Sequence, residues 1–258
     1  MKRFIYFLLA LGFFSSCNNE ADMLPNKIQD PATSTTNFSA LAESNLQNKS
    51  SQLADIDQQI AALDISENDF YKVSNFKNGF LNLNERIKQL NLKGNDYFSE
   101  NNYHYALIYY LFSLQLAASN NDIQKEATLY RNVALAYQHK GDYRKAAINF
   151  WYSFKLWKII NDNERVAQLY NDLGVVYALA SDFKGSVDDF EVENSHALAY
   201  FEAGLDGRVV LGDMEGISQS EYNINTLYAV WSDGAILANG KQGNDKLLYA
   251  QDDPDDDL

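Results

Sequence analysis

The sequence predicts an all-α protein that stacks antiparallel helix pairs into an α-solenoid. The chain of 258 residues is 46% hydrophobic and has only 3 prolines and 13 glycines, a composition that favours helices over a turn-rich β fold. Residue types also recur at a fixed step of 40 positions. Periods of about 20 to 50 residues are typical of stacked supersecondary units.

Residues 1–16 are predicted to be a cleaved signal peptide. Lys2 and Arg3 precede an apolar run, which is the order found in secretory leaders. The run is too short for a bilayer, which takes about 20 residues. The following "FSSC" ends at Cys17, the only cysteine, and resembles a bacterial lipoprotein lipobox. This resemblance implies that Cys17 is lipidated and that the protein belongs to the bacterial cell envelope at the outer membrane, with the periplasmic or the surface side left open. An ordinary signal peptide with a coincidental cysteine is the alternative.

 Asn18, and not Asp, follows the cysteine. By the usual sorting rule of bacterial lipoproteins, a residue other than Asp at this position favours the outer membrane.

The mature chain is strongly acidic. The formal net charge of −14 becomes −16 once the leader is removed, because the leader carries two positive charges and no negative one. Such a chain repels nucleic acid and anionic headgroups, so contact with a membrane is expected only through the lipid anchor at Cys17. The tail, residues 232–258, is glycine-rich and then acidic. It is expected to be irregular and solvated, with calcium or a basic partner as the alternative.

Between the anchor and the repeats, two segments are distinguished by their patterns. Residues 17–37 are polar and contain two prolines, which predicts a flexible tether. Residues 38–85 are predicted to form helices, because apolar residues recur at heptad spacing. The heptad residues are Leu46, Leu53 and Ile60, with Ile56 and Leu63 between them.

A repeat of 40 residues organises residues 86–231. Five positions keep one residue type through three units, which chance rarely produces. These positions are Gly94, Ala134 and Gly174; Tyr97, Tyr137 and Tyr177; Tyr103, Tyr143 and Phe183; Ala106, Ala146 and Ser186; and Tyr110, Phe150 and Phe190. Ala54, Ser66 and Phe70 match three of them one step earlier, which suggests a degenerate unit within 38–85.

Each unit is predicted to be a helix, a turn and a second helix. In the middle unit the turn "KGDY" separates helices over roughly 126–140 and 144–160. Small side chains at a helix crossing let the two backbones approach closely. The aromatic rings then fill the space around the crossing and towards the next unit.

These residue types at these positions resemble the tetratricopeptide repeat family. In that family a small residue and then Tyr mark the first helix, and Ala followed by an aromatic residue marks the second. The resemblance covers 86–231 and implies a right-handed superhelical stack whose first helices line a concave groove. A step of 40 instead of the usual 34 or so is similar to the longer-helix members found in bacterial peptide-responsive regulators and kinesin light chains.

The last unit departs from the 40-residue step. Tyr228 lies 51 residues after Tyr177, and the additional 11 residues correspond to about three helical turns. Lengthening a second helix by that amount returns the same face to the core. We therefore predict a long or broken helix over 186–211 in which Ala197 and Phe201 take the small and aromatic positions. The unit that follows it is expected to be truncated or to act as a cap.

Catalytic and metal-binding patterns are weak in this sequence. His104, His139 and His196 are far apart in the chain, and a second cysteine is missing, so no zinc set is expected. The segment "NGKQGN" lacks the spacing of a phosphate loop. We expect no cofactor, no metal and no enzymatic activity.

Partner binding is predicted on the groove that the family resemblance implies. Amide side chains both donate and accept hydrogen bonds, which suits an extended peptide. Asn95 and Asn132 match the asparagines of the carboxylate clamp of chaperone-binding members, although the clamp's lysines are replaced. An ordinary solvated helix face is the alternative. The predicted binding residues are Asn91, Asn95, Phe98, Arg131, Asn132, Gln138, Gln168, Asn171 and Tyr222.

The leading functional hypothesis is a lipid-anchored, non-enzymatic adaptor of the bacterial envelope that holds a protein or extended peptide. One alternative is a glycan- or nutrient-binding outer-membrane lipoprotein, for which Phe98, Trp151, Tyr222 and Trp231 are the candidate rings. Another is a ligand-sensing regulatory repeat domain, and an enzyme is the third. The sequence leaves the oligomeric state open.

Overall fold

The computed structural model describes residues 48–77, 82–181, 187–232 and Pro254. These residues form helices joined by short turns, with no strand among them, so the all-α prediction is confirmed for the described part of the chain. The leader, Cys17, the tether and the tail after Ser232, apart from Pro254, lie outside the described residues, and the predictions made for them stay predictions.

Nine helices make up the described part of the chain. They are α1 Lys49–Ala61, α2 Glu67–Lys77, α3 Leu83–Ser99, α4 Tyr103–Ser119, α5 Ile123–His139, α6 Tyr143–Ile159, α7 Asn163–Ser181, α8 Val187–Leu211 and α9 Met214–Ser232. In the middle unit α5 begins three residues before the predicted start and α6 begins one residue before it. The predicted long helix is continuous over the 25 residues of α8.

Helices that follow one another in the chain pack against one another, as in an α-solenoid. The most extensive contacts join α3 with α4, α5 with α6 and α7 with α8, which are the first and second helices of the three predicted units. Contacts between α4 and α5, α6 and α7, and α8 and α9 connect the units. The handedness of the stack stays a prediction.

Asparagine or glycine ends each second helix. Asn121, Asn161 and Gly212 have positive φ values of 56°, 59° and 71°, which is the left-handed conformation that commonly closes a helix. The Asp that follows each of them donates its backbone N–H to a carbonyl five residues earlier, as Asp213 does to Arg208 at 3.0 Å. Its side chain then caps the next helix, because the Asp213 carboxylate accepts from the Gly216 N–H at 2.9 Å. These turns end the units without proline.

Two of the small residues of the repeat lie at contacts between the helices of a unit, where each makes room for an aromatic ring. A Cβ added to Gly174 would lie 2.6 Å from the ring of Phe201, and the ring of Tyr110 lies in the same way against Gly94. Gly174 and Phe201 belong to α7 and α8, so Phe201 takes the aromatic position of the third unit. Ala197 is fully buried on the same helix, which confirms the 11-residue shift.

A second series of contacts shows the same shift. The hydroxyl of Ser113 donates to the carbonyl of Ile87 at 2.8 Å, and that of Ser153 donates to the carbonyl of Ala127 at 2.7 Å; each pair is 26 residues apart. In the third unit the residue against the Ala167 carbonyl is Gly204, 37 residues later, where an added Cβ would lie 3.2 Å from that oxygen. The additional 11 residues therefore leave the crossing geometry unchanged.

The two N-terminal helices do not repeat the pairing seen in the units. Helix α1 packs chiefly on α4, whereas α2 contacts α3 and α4. Ala54, Ser66 and Phe70, which would hold the small and aromatic positions of a degenerate unit, are exposed, while their counterparts in the first unit, Gly94, Ala106 and Tyr110, are buried. The suggested degenerate repeat is therefore not present as a packed helix pair.

Candidate interaction surfaces

A chain of buried polar contacts links the first helices of successive units. The side-chain amide of Asn132 donates to Asn91 at 2.9 Å, and that of Asn223 donates to Asn171 at 2.8 Å. Between them, the Arg131 guanidinium donates to Asp172 at 2.8 Å. In each contact, the partner in the later unit lies one residue after the position that is equivalent to the residue in the earlier unit. We call these residues the polar ladder: Asn91, Asn132, Arg131, Asp172, Asn171 and Asn223.

The polar ladder is closed to solvent. The side chains of Arg131 and Asp172 are each 1% exposed, and the four asparagines are also buried. The expectation that Asn91, Arg131, Asn132 and Asn171 line an accessible groove is therefore wrong in this structure. The physical reason is that first helices of adjacent units lie close enough for these side chains to bond with one another.

The other predicted binding residues divide between buried and accessible positions. Phe98, Gln138 and Gln168 are buried, so the same correction applies to them. Asn95 is half-buried and accepts a hydrogen bond from the Tyr110 hydroxyl at 2.8 Å. Tyr222 is exposed on α9. Binding of a partner by Asn95 and Tyr222 stays a prediction.

Helix α1 is held on the stack by a polar contact surface that we call the α1 seam. The buried carboxylate of Glu126 on α5 accepts from Lys49 Nζ and from Gln52 Nε2, both at 2.7 Å. Gln52 also donates to the Tyr130 hydroxyl at 3.2 Å. Further along α1, Gln59 accepts from Asn149 of α6 at 3.3 Å. The heptad pattern predicted a packed helix here but did not indicate that amides make much of its contact.

Asp55 lies in the α1 seam and should make the stability of the fold pH-dependent. Burial raises the pKa of its carboxyl group, and hydrogen bonds from Gln59 and Tyr152 only partly oppose that effect. A raised pKa means that the folded chain binds this proton more tightly than the unfolded chain does. The stabilisation from this site is therefore complete below the unfolded pKa of 3.8 and is lost as the pH rises through the raised value.

We expect Asp55→Asn to raise the free energy of unfolding, relative to that of the unmodified chain, by an amount that grows as the pH rises. Asparagine keeps an oxygen that can accept from Gln59 and carries no charge at any pH. The difference in free energy of unfolding between variant and parent, measured by urea denaturation, should be larger at about pH 7 than at about pH 4. An equal difference at the two pH values would contradict the assigned role of Asp55.

Large apolar side chains are exposed along the turns that follow the second helices. Ile159 ends α6 and Ile160 follows it, and they are 59% and 39% exposed. Val210 and Leu211 occupy the equivalent places 51 residues later, at 50% and 44% exposure. Because these positions are equivalent in the repeat, they lie along one edge of the stack. We call this set the apolar row: Ile123, Ile159, Ile160, Val209, Val210, Leu211 and Met214.

The charge next to the apolar row is not uniform. Near Ile159 and Ile160, Lys158 lies over the Phe154 ring at 5.5 Å and Arg165 over the Trp157 ring at 5.7 Å. Around Val210, by contrast, the exposed or half-buried charged side chains are acidic, namely Asp206, Asp213 and Glu215, whereas Arg208 is buried. The C-terminal end of the apolar row is therefore its acidic end.

The apolar row has a signal in the sequence that lies outside the repeat columns. The strings "KII" and "VVLGDM" place apolar residues directly before a turn, where a solvated helix end would carry polar ones. The polar ladder had a weaker signal, because its partners are one position out of register between units and do not appear as a repeat column.

Neither a protein-family model nor a curated protein matches this chain. Within the described residues, no group of histidine, cysteine or acidic side chains is arranged to hold a metal ion. Among the same residues, no helix combines the length and the apolar character needed to cross a membrane.

Proposed function

We propose that this chain is a lipid-anchored, non-enzymatic adaptor of the bacterial cell envelope that binds a protein partner along the apolar row. The observation that carries the proposal is the exposure of the apolar row itself. Large apolar side chains exposed at equivalent places in successive units favour the binding of a partner, because covering them removes apolar area from water. The anchor at Cys17 and the resemblance to tetratricopeptide repeats support the envelope and adaptor parts of the proposal.

The proposed binding surface is the apolar row and not the groove that the family resemblance implied. Four of the nine predicted binding residues form hydrogen bonds within the polar ladder, and three more are buried, so together they offer few polar groups to a peptide. The apolar row instead lies on the turns of the stack, where a partner can approach without separating the helices. Tyr222 on α9 is the predicted binding residue that is exposed.

The glycan-binding alternative is less well supported. It requires exposed aromatic rings, yet Phe98 and Trp151 are buried, and the side chain of Trp231 lies outside the described residues. Tyr222 is left as the exposed candidate. A single ring is a poor platform for a sugar chain, so we favour a protein as the partner.

Photo-crosslinking in intact cells tests the adaptor proposal. A photoreactive residue at Val210, in the apolar row, is expected to form a discrete adduct with a protein. The same residue at Lys88, which is exposed on α3, is the matched control and is expected to give no such adduct. An absence of adducts from position 210, or the same adducts from both positions, would count against the adaptor. In the same cells, Cys17→Ser should move the chain out of the membrane fraction.

A further inference from the structure

The last helix pair combines exposed apolar and acidic side chains on one face. On α8, Glu202, Asp206 and Val210 are spaced by four residues and all are exposed, so they lie along a single side of the helix. Val209 and Leu211 adjoin them, and Met214, at the start of α9, is 73% exposed. We call Val209, Val210, Leu211 and Met214 the apolar tip.

The outward charge of this helix pair is negative. Besides Glu202 and Asp206 on α8, Glu215 and Glu221 are exposed on α9. The basic residue of the pair, Arg208, is 5% exposed, and its guanidinium donates to the Gly216 carbonyl at 2.6 Å and to Gln219 at 3.2 Å. It holds the turn, lies 3.9 Å from the Asp213 carboxylate and also attracts Glu215, but it makes no ion pair with Glu202 or Asp206.

Among the described residues, no basic side chain forms an ion pair with Glu202 or Asp206 of α8. Partial desolvation raises the pKa of Glu202 and of Asp206, and the charge of Asp206 raises the pKa of Glu202 further. A positive charge placed near this pair would relieve the repulsion between the two carboxylates. The surface therefore favours a cationic ligand on electrostatic grounds as well as an apolar one.

We propose that the apolar tip and its acidic surroundings bind a basic amphipathic helix of the protein partner. This inference rests on the proposed function and specifies the chemistry of its partner. An amphipathic helix presents apolar residues at i, i+3, i+4 and i+7, which would cover the apolar tip. Lysine or arginine beside that stripe would meet Glu202, Asp206 and Glu215.

Two other occupants fit this surface less well. A second copy of the chain would bring the same acidic residues against each other, which like-charge repulsion disfavours. A membrane surface would accept the apolar tip, but anionic headgroups would repel the acids around it. Charge complementarity therefore selects a basic protein segment.

A labelled helical peptide of leucine and lysine, with leucines at the spacing given above, tests the inference by fluorescence anisotropy on the purified chain. The apolar variant Val210→Ser with Met214→Ser should weaken binding by at least about tenfold. The charge variant Glu202→Gln with Asp206→Asn should weaken it several-fold and reduce its dependence on salt.

The matched control is Asp64→Asn with Glu67→Gln, which removes two exposed acids at the other end of the stack. We expect binding by the control to stay within about twofold of the parent. All of these substitutions are at exposed residues, and circular dichroism checks that each variant keeps the helical content of the parent.

Four results would overturn the inference. The first is a loss of binding in the control variant equal to that in the charge variant, and the second is equal affinity for a peptide with glutamate in place of lysine. The third is that the parent chain binds phosphatidylcholine vesicles and the apolar variant does not. The fourth is that the parent chain self-associates and the apolar variant does not. A protein adduct from position 210 together with no binding of the leucine–lysine peptide would leave the adaptor standing and reject the basic helix.

Discussion

Replacing Arg131 with methionine is expected to lower the free energy of unfolding by about 3–5 kcal/mol, because it leaves the Asp172 carboxylate without its main partner inside the stack. The Arg131 and Asp172 side chains are joined at 2.8 Å and are each 1% exposed. A carboxylate at that depth cannot be rehydrated without opening the contact between α5 and α7. Urea denaturation followed by circular dichroism measures the loss.

Two further variants separate the burial of the charge from the loss of packing. Lys93→Met breaks an ion pair of similar length, 3.1 Å to Asp96, but both of its partners are exposed; we expect it to change stability by no more than about 1 kcal/mol. Adding Asp172→Leu to Arg131→Met removes the stranded charge and should restore much of the stability. If the double variant is as unstable as the single one, the ion pair is not the reason for the loss.

The helix crossings could be predicted because they depend on side-chain size at a few positions. Gly174 leaves room for a ring, and the step of 51 residues at Tyr228 indicated that the ring had moved along α8 by three turns. Phe201 was therefore identified from spacing alone. The lengthening of α8 by about three turns was predictable for the same reason, since only an insertion of whole turns keeps one face towards the core, whereas the sequence left open whether the long helix was continuous or broken.

The polar ladder could not be predicted in the same way. The accessible groove was taken from the family resemblance, and accessibility depends on how closely the first helices of neighbouring units approach. That distance is set by the whole interface and not by any one residue. Asn91 and Arg131 are equivalent in the repeat, yet the partner of each is one position further along in the next unit, so a comparison of equivalent positions misses both pairs.

The placement of α1 depends on contacts that are distant in the sequence. The heptad residues around Ile56 predicted a helix with a buried face, and Ile56 is buried. The identity of the surface that buries it depends on Glu126 and Asn149, which lie 74 and 90 residues from their partners Gln52 and Gln59. No local pattern specifies such pairings.

Phe201→Ala is expected to lower the free energy of unfolding by about 3–5 kcal/mol, because it removes a fully buried ring and leaves a cavity between α7 and α8. Phe70→Ala is the matched control: Phe70 is 51% exposed, and its ring makes an edge contact with Phe112 at 6.0 Å, so a loss of about 1 kcal/mol is expected. Thermal or urea denaturation compares the two variants. Equal losses would contradict the assignment of Phe201 to the crossing.

Gly174→Ala then tests whether the ring is the reason that this position is glycine. In the parent chain the added methyl group would lie 2.6 Å from Phe201, and such overpacking costs about 1–3 kcal/mol. In the Phe201→Ala background the space is open, so alanine should stabilise the helix by up to about 1 kcal/mol through its greater helix propensity. If Gly174 and the Phe201 ring are in direct contact, Gly174→Ala should lower the free energy of unfolding in the parent and raise it in the Phe201→Ala background. If alanine has the same effect in both, the recurrence of small residues reflects something other than close crossings, and the basis for reading the chain as a stack of helix pairs is lost.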